Sequence, residues 1–265
     1  MKDKLSEELK QLPLRKCPKN KSYDGILIFE SFIRIMNKNL KYLFKLCLVN
    51  KVMAVETLAS LLDKLKFGET ALIEHNSLTT PVNLLAAIVS WAGEKNYPVL
   101  IDDVLDTLYI YAQHMELGGI DTEILNNVLV IKLGGVRNVG NVVGRVPLKE
   151  PLIQEREYAK VANSFFEQGK VVNPVLGFEK TLFLTDSKRD LLISINAVLS
   201  HLGDKRRIAF HFVNKDILEG PEFNPLPFLE ELATTVFRVK RTEGKIRLAV
   251  VKSINNELTG KEIIL

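Results

Sequence analysis

His75, Asn76, Ser77, Thr79 and Thr80 span the junction from the end of the apolar run TALIEH to the start of the helically spaced TPVNLLAAIVSWAGEKN. Strand, short polar loop, then helix is the order in which nucleotide-binding proteins build a phosphate cradle. The phosphate loop GxxxxGK(S/T) works because its glycines let successive N–H groups point inward, its lysine reaches the β- and γ-phosphates, and its hydroxyl holds Mg²⁺. Residues 74–81 contain neither glycine nor lysine. What remains is a helix N-terminus able to hold an anion weakly, with Thr80 as its expected cap and Pro81 in the first turn. Gly135 and Gly140 match GxxxxG after the run VLVIKL, but Asn141 and Val142 follow instead of Lys and Ser/Thr. Residues 134–151 therefore read as a glycine-punctuated loop or hairpin, with Arg137 and Arg145 solvated or facing an acidic partner.

Carboxylates form the second group. Asp102 and Asp103 end the run YPVLIDD, and Asp106 follows three residues on, so the three cluster at the end of that strand. Paired carboxylates can bind Mg²⁺ or act as a general base, and they also favour a helix N-terminus electrostatically. Asp186 closes TLFLTD, read as a strand, in the manner of a Mg²⁺-associated aspartate, or else caps a helix starting near Arg189. His75, His114, His201 and His211 show no metal spacing, and HExxH, CxxC and GxSxG are absent from the sequence.

The elements that must position these residues alternate along the chain. VETLASLLDKL has helical spacing and precedes the strand TALIEH; YPVLID is a strand and DVLDTLYIYAQHMELGG a helix. DTEILNN is a short helix before the strand VLVIKL. EREYAKVANSFFEQ, RDLLISINAVLSHLG and PLPFLEELA follow as helices, and TLFLTD and RRIAFHFVN as strands. TTVFRVKRTEGKIRLAVVKS closes the chain as two β runs joined at Glu243-Gly244. Such alternation predicts an α/β three-layer domain with a largely parallel sheet and a C-terminal antiparallel edge.

An apolar fraction of 46% over 265 residues gives ample material for a core. Apolar runs reach about ten residues, short of the roughly twenty that span a bilayer, and the first 25 residues do not read as a secretory signal. Cys17 and Cys47 match no metal or redox spacing, so a cytoplasmic location is expected. Residues 1–52 hold 12 Lys/Arg against 5 Asp/Glu, leaving 36 − 12 = 24 basic and 32 − 5 = 27 acidic residues in 53–265. The basic character thus belongs to an N-terminal extension, and 53–265 carries no global charge for nucleic acid. Within the extension, Arg34, Lys38, Lys41 and Lys45 are spaced as one helical stripe. Such a helix over 26–49 suits an anionic membrane surface or a docking partner. Alternatively, translation starts at Met53 and the extension is not made in the cell.

YPVLIDDVLDTLYIYAQHMELGGIDTEILNNVLVIKLGG, with Gly119-Ile120-Asp121 after the helix, resembles the second strand, helix and third strand of KaiC/RadB-type RecA-like ATPases. TLFLTDSK resembles their Walker B strand, and the closing β runs resemble theirs. PVLIDD, NPVLGFEK and DKRRIAF carry a closer likeness to archaeal proteins of unknown function with a degenerate KaiC-like domain lacking the Walker A motif. The resemblance implies a P-loop-type RecA core over 53–265, with neighbouring subunits as partners. It places Asp102 and Asp103 where the catalytic acids of the superfamily lie, and Asp186 where its Mg²⁺-associated aspartate lies.

Three readings follow. The first is a non-catalytic RecA/KaiC-like module acting through an unknown protein partner or self-assembly, with no cofactor. The second is a Mg-nucleotide site of altered form, with His75, Asn76, Ser77, Thr79 and Thr80 near the ligand, Asp102 and Asp103 catalytic and Asp186 on the metal. The third is a nucleic-acid or membrane-surface accessory protein working through the basic extension.

Overall fold

The computed structural model describes residues 57–219 and 223–265. Cys17, Cys47, the Arg34/Lys38/Lys41/Lys45 stripe and the division after residue 52 lie outside the described residues. No helix among the described residues is long and apolar enough to cross a membrane.

Helix α1 (Leu58–Leu62) starts where the Thr57 side chain accepts from Ser60 N at 3.2 Å. Strand β1 (Thr70–His75) is buried along its whole length, as a strand covered on both faces must be. Helix α2 (Val82–Glu94) returns the chain to β2 (Leu100–Val104). Helix α3 (Thr107–Leu117), a short 3₁₀ turn (Glu123–Leu125), β3 (Leu129–Leu133) and β4 (Asn141–Val146) follow. Helix α4 (Pro151–Phe166) has proline in its first turn, where the missing N–H costs no helical bond. Then come β5 (Val171–Leu176), α5 (Phe178–Phe183), α6 (Lys188–Leu199), β6 (Arg207–Asn214), α7 (Lys215–Leu218) and α8 (Leu226–Leu232). Strands β7 (Thr235–Thr242), β8 (Lys245–Ser253) and β9 (Glu262–Ile264) complete the chain.

The nine strands form one sheet in the order β4-β3-β2-β5-β6-β1-β7-β8-β9. Pairings from β4 across to β7 are parallel; β7–β8 and β8–β9 are antiparallel. The α/β three-layer architecture expected from the alternating elements is therefore present, with its antiparallel C-terminal edge. Side-chain alternation on the strands sorts the core into two faces. Ala71, Ile73, Ile101, Phe210 and Phe212 pack with α1, α2 and α3. On the opposite face Leu72 and Val213 pack with α5, α6 and α8. There too, Leu100, Val104 and Ile131 pack with α4.

Three local expectations need correction. TLFLTD is not a strand: Thr181–Phe183 end helix α5, and Asp186 lies in the bend before α6. The strand of that region is VVNPVL, whose Pro174 argues against a central strand because proline cannot donate to a ladder. The structure meets this locally. Pairing of β5 with β2 resumes only at Val175, and Asn173 Nδ2 donates to Leu100 O at 2.7 Å across the gap. Next, residues 134–151 are not simply a loop or hairpin, since Asn141–Val146 form an edge strand parallel to β3. Finally, Thr80 does not cap α2. Pro81 holds the cap position without a side-chain bond, and Thr80 Oγ1 lies 3.4 Å from His114 Nδ1.

Candidate functional site

Ligands in open α/β sheets bind beyond the C-terminal ends of the strands, and β1 ends at His75. That histidine is buried among its neighbours: Nδ1 is 3.1 Å from Asn76 O and Nε2 is 3.3 Å from the Tyr111 hydroxyl. Burial holds its pKa below the usual histidine value. Thr79 is also buried, and its N–H closes the turn on Asn76 O at 3.1 Å. The exposed part of the loop is Ser77 and Leu78. Ser77 N donates to Asp216 Oδ2 at 2.8 Å, and Asn214 Nδ2 donates to Ser77 Oγ at 3.1 Å. Asn214 in turn caps α7 by accepting from Asp216 N. A loop amide that a phosphate cradle would offer to its ligand is therefore occupied by a carboxylate of the chain itself. The Ser77 amide bond holds Asp216 below the usual carboxylate range.

Asp102 and Asp103 are neighbours on β2, so their side chains leave on opposite faces of the sheet and do not form a joint acid pair. Asp103 faces α3 and accepts from Leu108 N at 2.8 Å. It also takes a 2.5 Å ion pair from Lys132 Nζ, which makes a second 2.5 Å pair with Asp106. Asp106 further accepts from the Val136 and Arg137 amides at 2.9 Å each. This buried lysine ties β3 to the end of β2, and Asp106 in turn holds the loop after β3 through that loop's amides. The loop approaches so closely that a Cβ on Gly135 would lie 2.4 Å from Asp106 Oδ1.

On the opposite face, Asp102 Oδ2 accepts from the Tyr158 hydroxyl at 2.8 Å and from Asn173 Nδ2 at 3.0 Å. Its other oxygen has no partner among the described residues. Burial pushes the Asp102 carboxyl up to about 6, opposed by Asn173, the Arg207 charge and Tyr158. Arg207 and His211, four residues apart on β6, share this face. The Arg207 guanidinium lies 5.5 Å from the Phe166 ring centre, and His211 stands edge-on to Phe178 at 5.7 Å. Burial pushes His211 down to about 3, with the Arg207 charge adding to it.

The sequence model of one protein family, described as Pyrococcus protein of unknown function, DUF257, matches residues 60–264. The chain belongs to the DUF257 family. Among solved structures, the Pyrococcus horikoshii OT3 protein PH0250 is 32% identical, with a TM-score of 0.67, covering 76% of this chain and 94% of that one. A KaiC-like protein from the same organism, PH0186, is 13% identical with a TM-score of 0.52, covering 74% of this chain and 84% of that one. At that identity the likeness concerns the fold, and the fold is KaiC-like. Comparison with curated proteins gave no match.

In this DUF257 domain the residues singled out by sequence do not converge. His75, Asn76, Ser77, Thr79 and Thr80 sit at the end of β1, Asp103 in the ion-pair lock, Asp102 beneath α4, and Asp186 exposed before α6, where Ser187 caps the helix by accepting from Asp190 N at 3.1 Å. Among the described residues, no group of three or more His, Cys, Asp or Glu is placed to hold a metal ion. Sequence reading missed Tyr158, Asn173 and Arg207 and gave His211 no role; these meet Asp102 only through the order of β2, β5 and β6 and the packing of α4 on them. It also missed Glu179, buried at the start of α5 and pushed up to about 7 by that burial. The pattern offering a signal was the period-2 spacing of Arg207 and His211 on one strand face.

Gly177, at φ +78°, links β5 to α5 beside these groups. A Cβ there would lie 2.2 Å from Thr107 Oγ1 and 2.8 Å from Val104 O. Thr107 Oγ1 donates to Val104 O at 2.6 Å and accepts from Lys180 Nζ at 2.7 Å, so it has no freedom to withdraw. Gly177→Ala is expected to lower unfolding free energy by about 2–4 kcal/mol, from backbone strain plus overpacking. Urea denaturation checks this, and an unchanged midpoint would mean that the turn relaxes.

Proposed function

We propose that the chain is a non-catalytic RecA/KaiC-like module that acts through a protein partner or by self-assembly. The observation that carries this reading is the Asp216 carboxylate on the Ser77 amide. A second anion brought to that amide would meet a like charge, with no lysine in the loop to offset it. Support also comes from the apolar tips beyond the strand ends. Leu78, after β1, is 87% exposed and Val136, after β3, is 79% exposed, chemistry suited to a protein surface rather than a polyphosphate.

The test is a thermal melt of the full chain with excess Mg-ATP, Mg-GTP and their diphosphates, paired with light scattering of the same sample. A nucleotide at a hundred times its dissociation constant would add about 2.7 kcal/mol, raising the midpoint by roughly 5–10 °C for a domain of this size. The expected result is no shift, with an oligomer in solution or a partner retained on the chain. A Mg²⁺-dependent shift abolished by Asp186→Ala would overturn the proposal in favour of an altered nucleotide site.

A further inference from the structure

Between the sheet and helices α4 and α6 lies a cavity of about 90 Å³. Val104, Leu133, Val175 and Val198 supply apolar wall, and Asp102, Tyr158, His201, Arg207 and His211 bring polar atoms to it. Asp102, Arg207 and His211 are each more than nine-tenths buried. Asp102 Oδ1, Arg207 Nε and both ring nitrogens of His211 lack any hydrogen-bond partner among the described residues. Buried polar atoms are normally satisfied, and leaving them unpaired is costly. Several such atoms converging on one mostly apolar cavity is how a small-molecule site is built.

We propose that this cavity binds a small uncharged carboxamide- or lactam-type molecule, its N–H donated to Asp102 and its carbonyl accepting from Arg207 and His211. The class follows from what the walls offer. The Asp102 oxygen is an acceptor, Arg207 Nε–H is a donor, and neutral His211 has one of each. An N–H beside a carbonyl presents the complementary pair. A carboxylate of similar size would face Asp102 and Glu155, and an ammonium would face the Arg207 guanidinium, so wall charges of both signs disfavour either. This site is on the opposite sheet face from the His75 loop and stands independently of the nucleotide question.

The test is saturation-transfer NMR on the full chain at neutral pH, with acetamide, 2-pyrrolidone and uracil as probes and acetate and methylammonium as charged counterparts. Transfer to at least one neutral probe is expected, together with none to the charged pair. Two variants locate it. Ala197→Phe fills the cavity from α6, and His211→Leu removes ring nitrogens that bond to nothing else in the described structure, so it spares the fold. Each is checked by circular dichroism and is expected to weaken probe binding at least tenfold. The proposal is overturned if no neutral probe binds, if a charged probe binds in preference, or if binding persists in folded His211→Leu protein.

Discussion

Replacing Lys132 with methionine is expected to destabilise the domain by about 3–5 kcal/mol, the usual consequence of removing one partner of a buried ion pair. Lys132 is 1% exposed and holds both Asp103 and Asp106. Without it, the buried Asp103 carboxylate keeps the Leu108 amide but loses its counter-charge in a poorly solvating place. Asp106, more exposed, keeps the Val136 and Arg137 amides. The double change Lys132→Met with Asp103→Leu is expected to recover much of the loss, because no lone charge is then buried. Urea unfolding of the two single variants and the double variant forms the cycle. A Lys132→Met protein within 1 kcal/mol of the parent would show that the buried pair does not fasten β3 to the end of β2.

The second large effect is a gain. His211→Leu is expected to stabilise the ligand-free protein by about 1–3 kcal/mol at pH 7, the range for relieving an unsatisfied buried polar group. The gain is expected to grow as pH falls. His211 is held down to about 3 against an ordinary 6.5, so between those values the unfolded chain binds the proton and the folded one resists it. Stability is therefore lost from pH 6.5 downward, and removing the histidine removes that loss, roughly 3 kcal/mol more at pH 4 than at pH 7. Asp102 and Glu179 run the opposite way. Raised to about 6 and about 7, they favour the folded state while protonated and cost stability as pH rises through 4–7. The parent profile is then a partial cancellation; the variant keeps the acid-side loss from His75 but is expected to lose less stability than the parent between pH 6.5 and 4. Equal pH profiles for the two proteins would mean that His211 titrates normally.

The fold was legible wherever a long segment kept a single period. TALIEH and RRIAFHFVN read as buried strands, TPVNLLAAIVSWAGEKN as a helix, and the closing hairpin from its Glu243-Gly244 turn. Reading failed on short apolar runs: TLFLTD reads as a strand and VVNPVL receives no assignment, because three or four apolar residues carry no distinguishing period. Only tertiary placement allows Pro174 its position, through the gap that Asn173 bridges. The adjacent pair Asp102 and Asp103 was visible, but its meaning was not. Strand alternation sends one side chain to each face, and the partners Lys132, Tyr158 and Arg207 come from segments 29 to 105 residues away.

The position of β1 carries a consequence for how the chain is made. Ala71 pairs with Phe210 on one side and Thr235 on the other, 139 and 164 residues later. Such distant pairing slows folding because the intervening chain must close first. At translation rates of about 5–20 residues per second, β1 leaves the ribosome roughly 7–30 seconds before its two neighbours exist. During that interval its wholly apolar centre has no native sheet partner. Synthesis, rather than the final structure, is thus where this protein is most open to aggregation or chaperone capture.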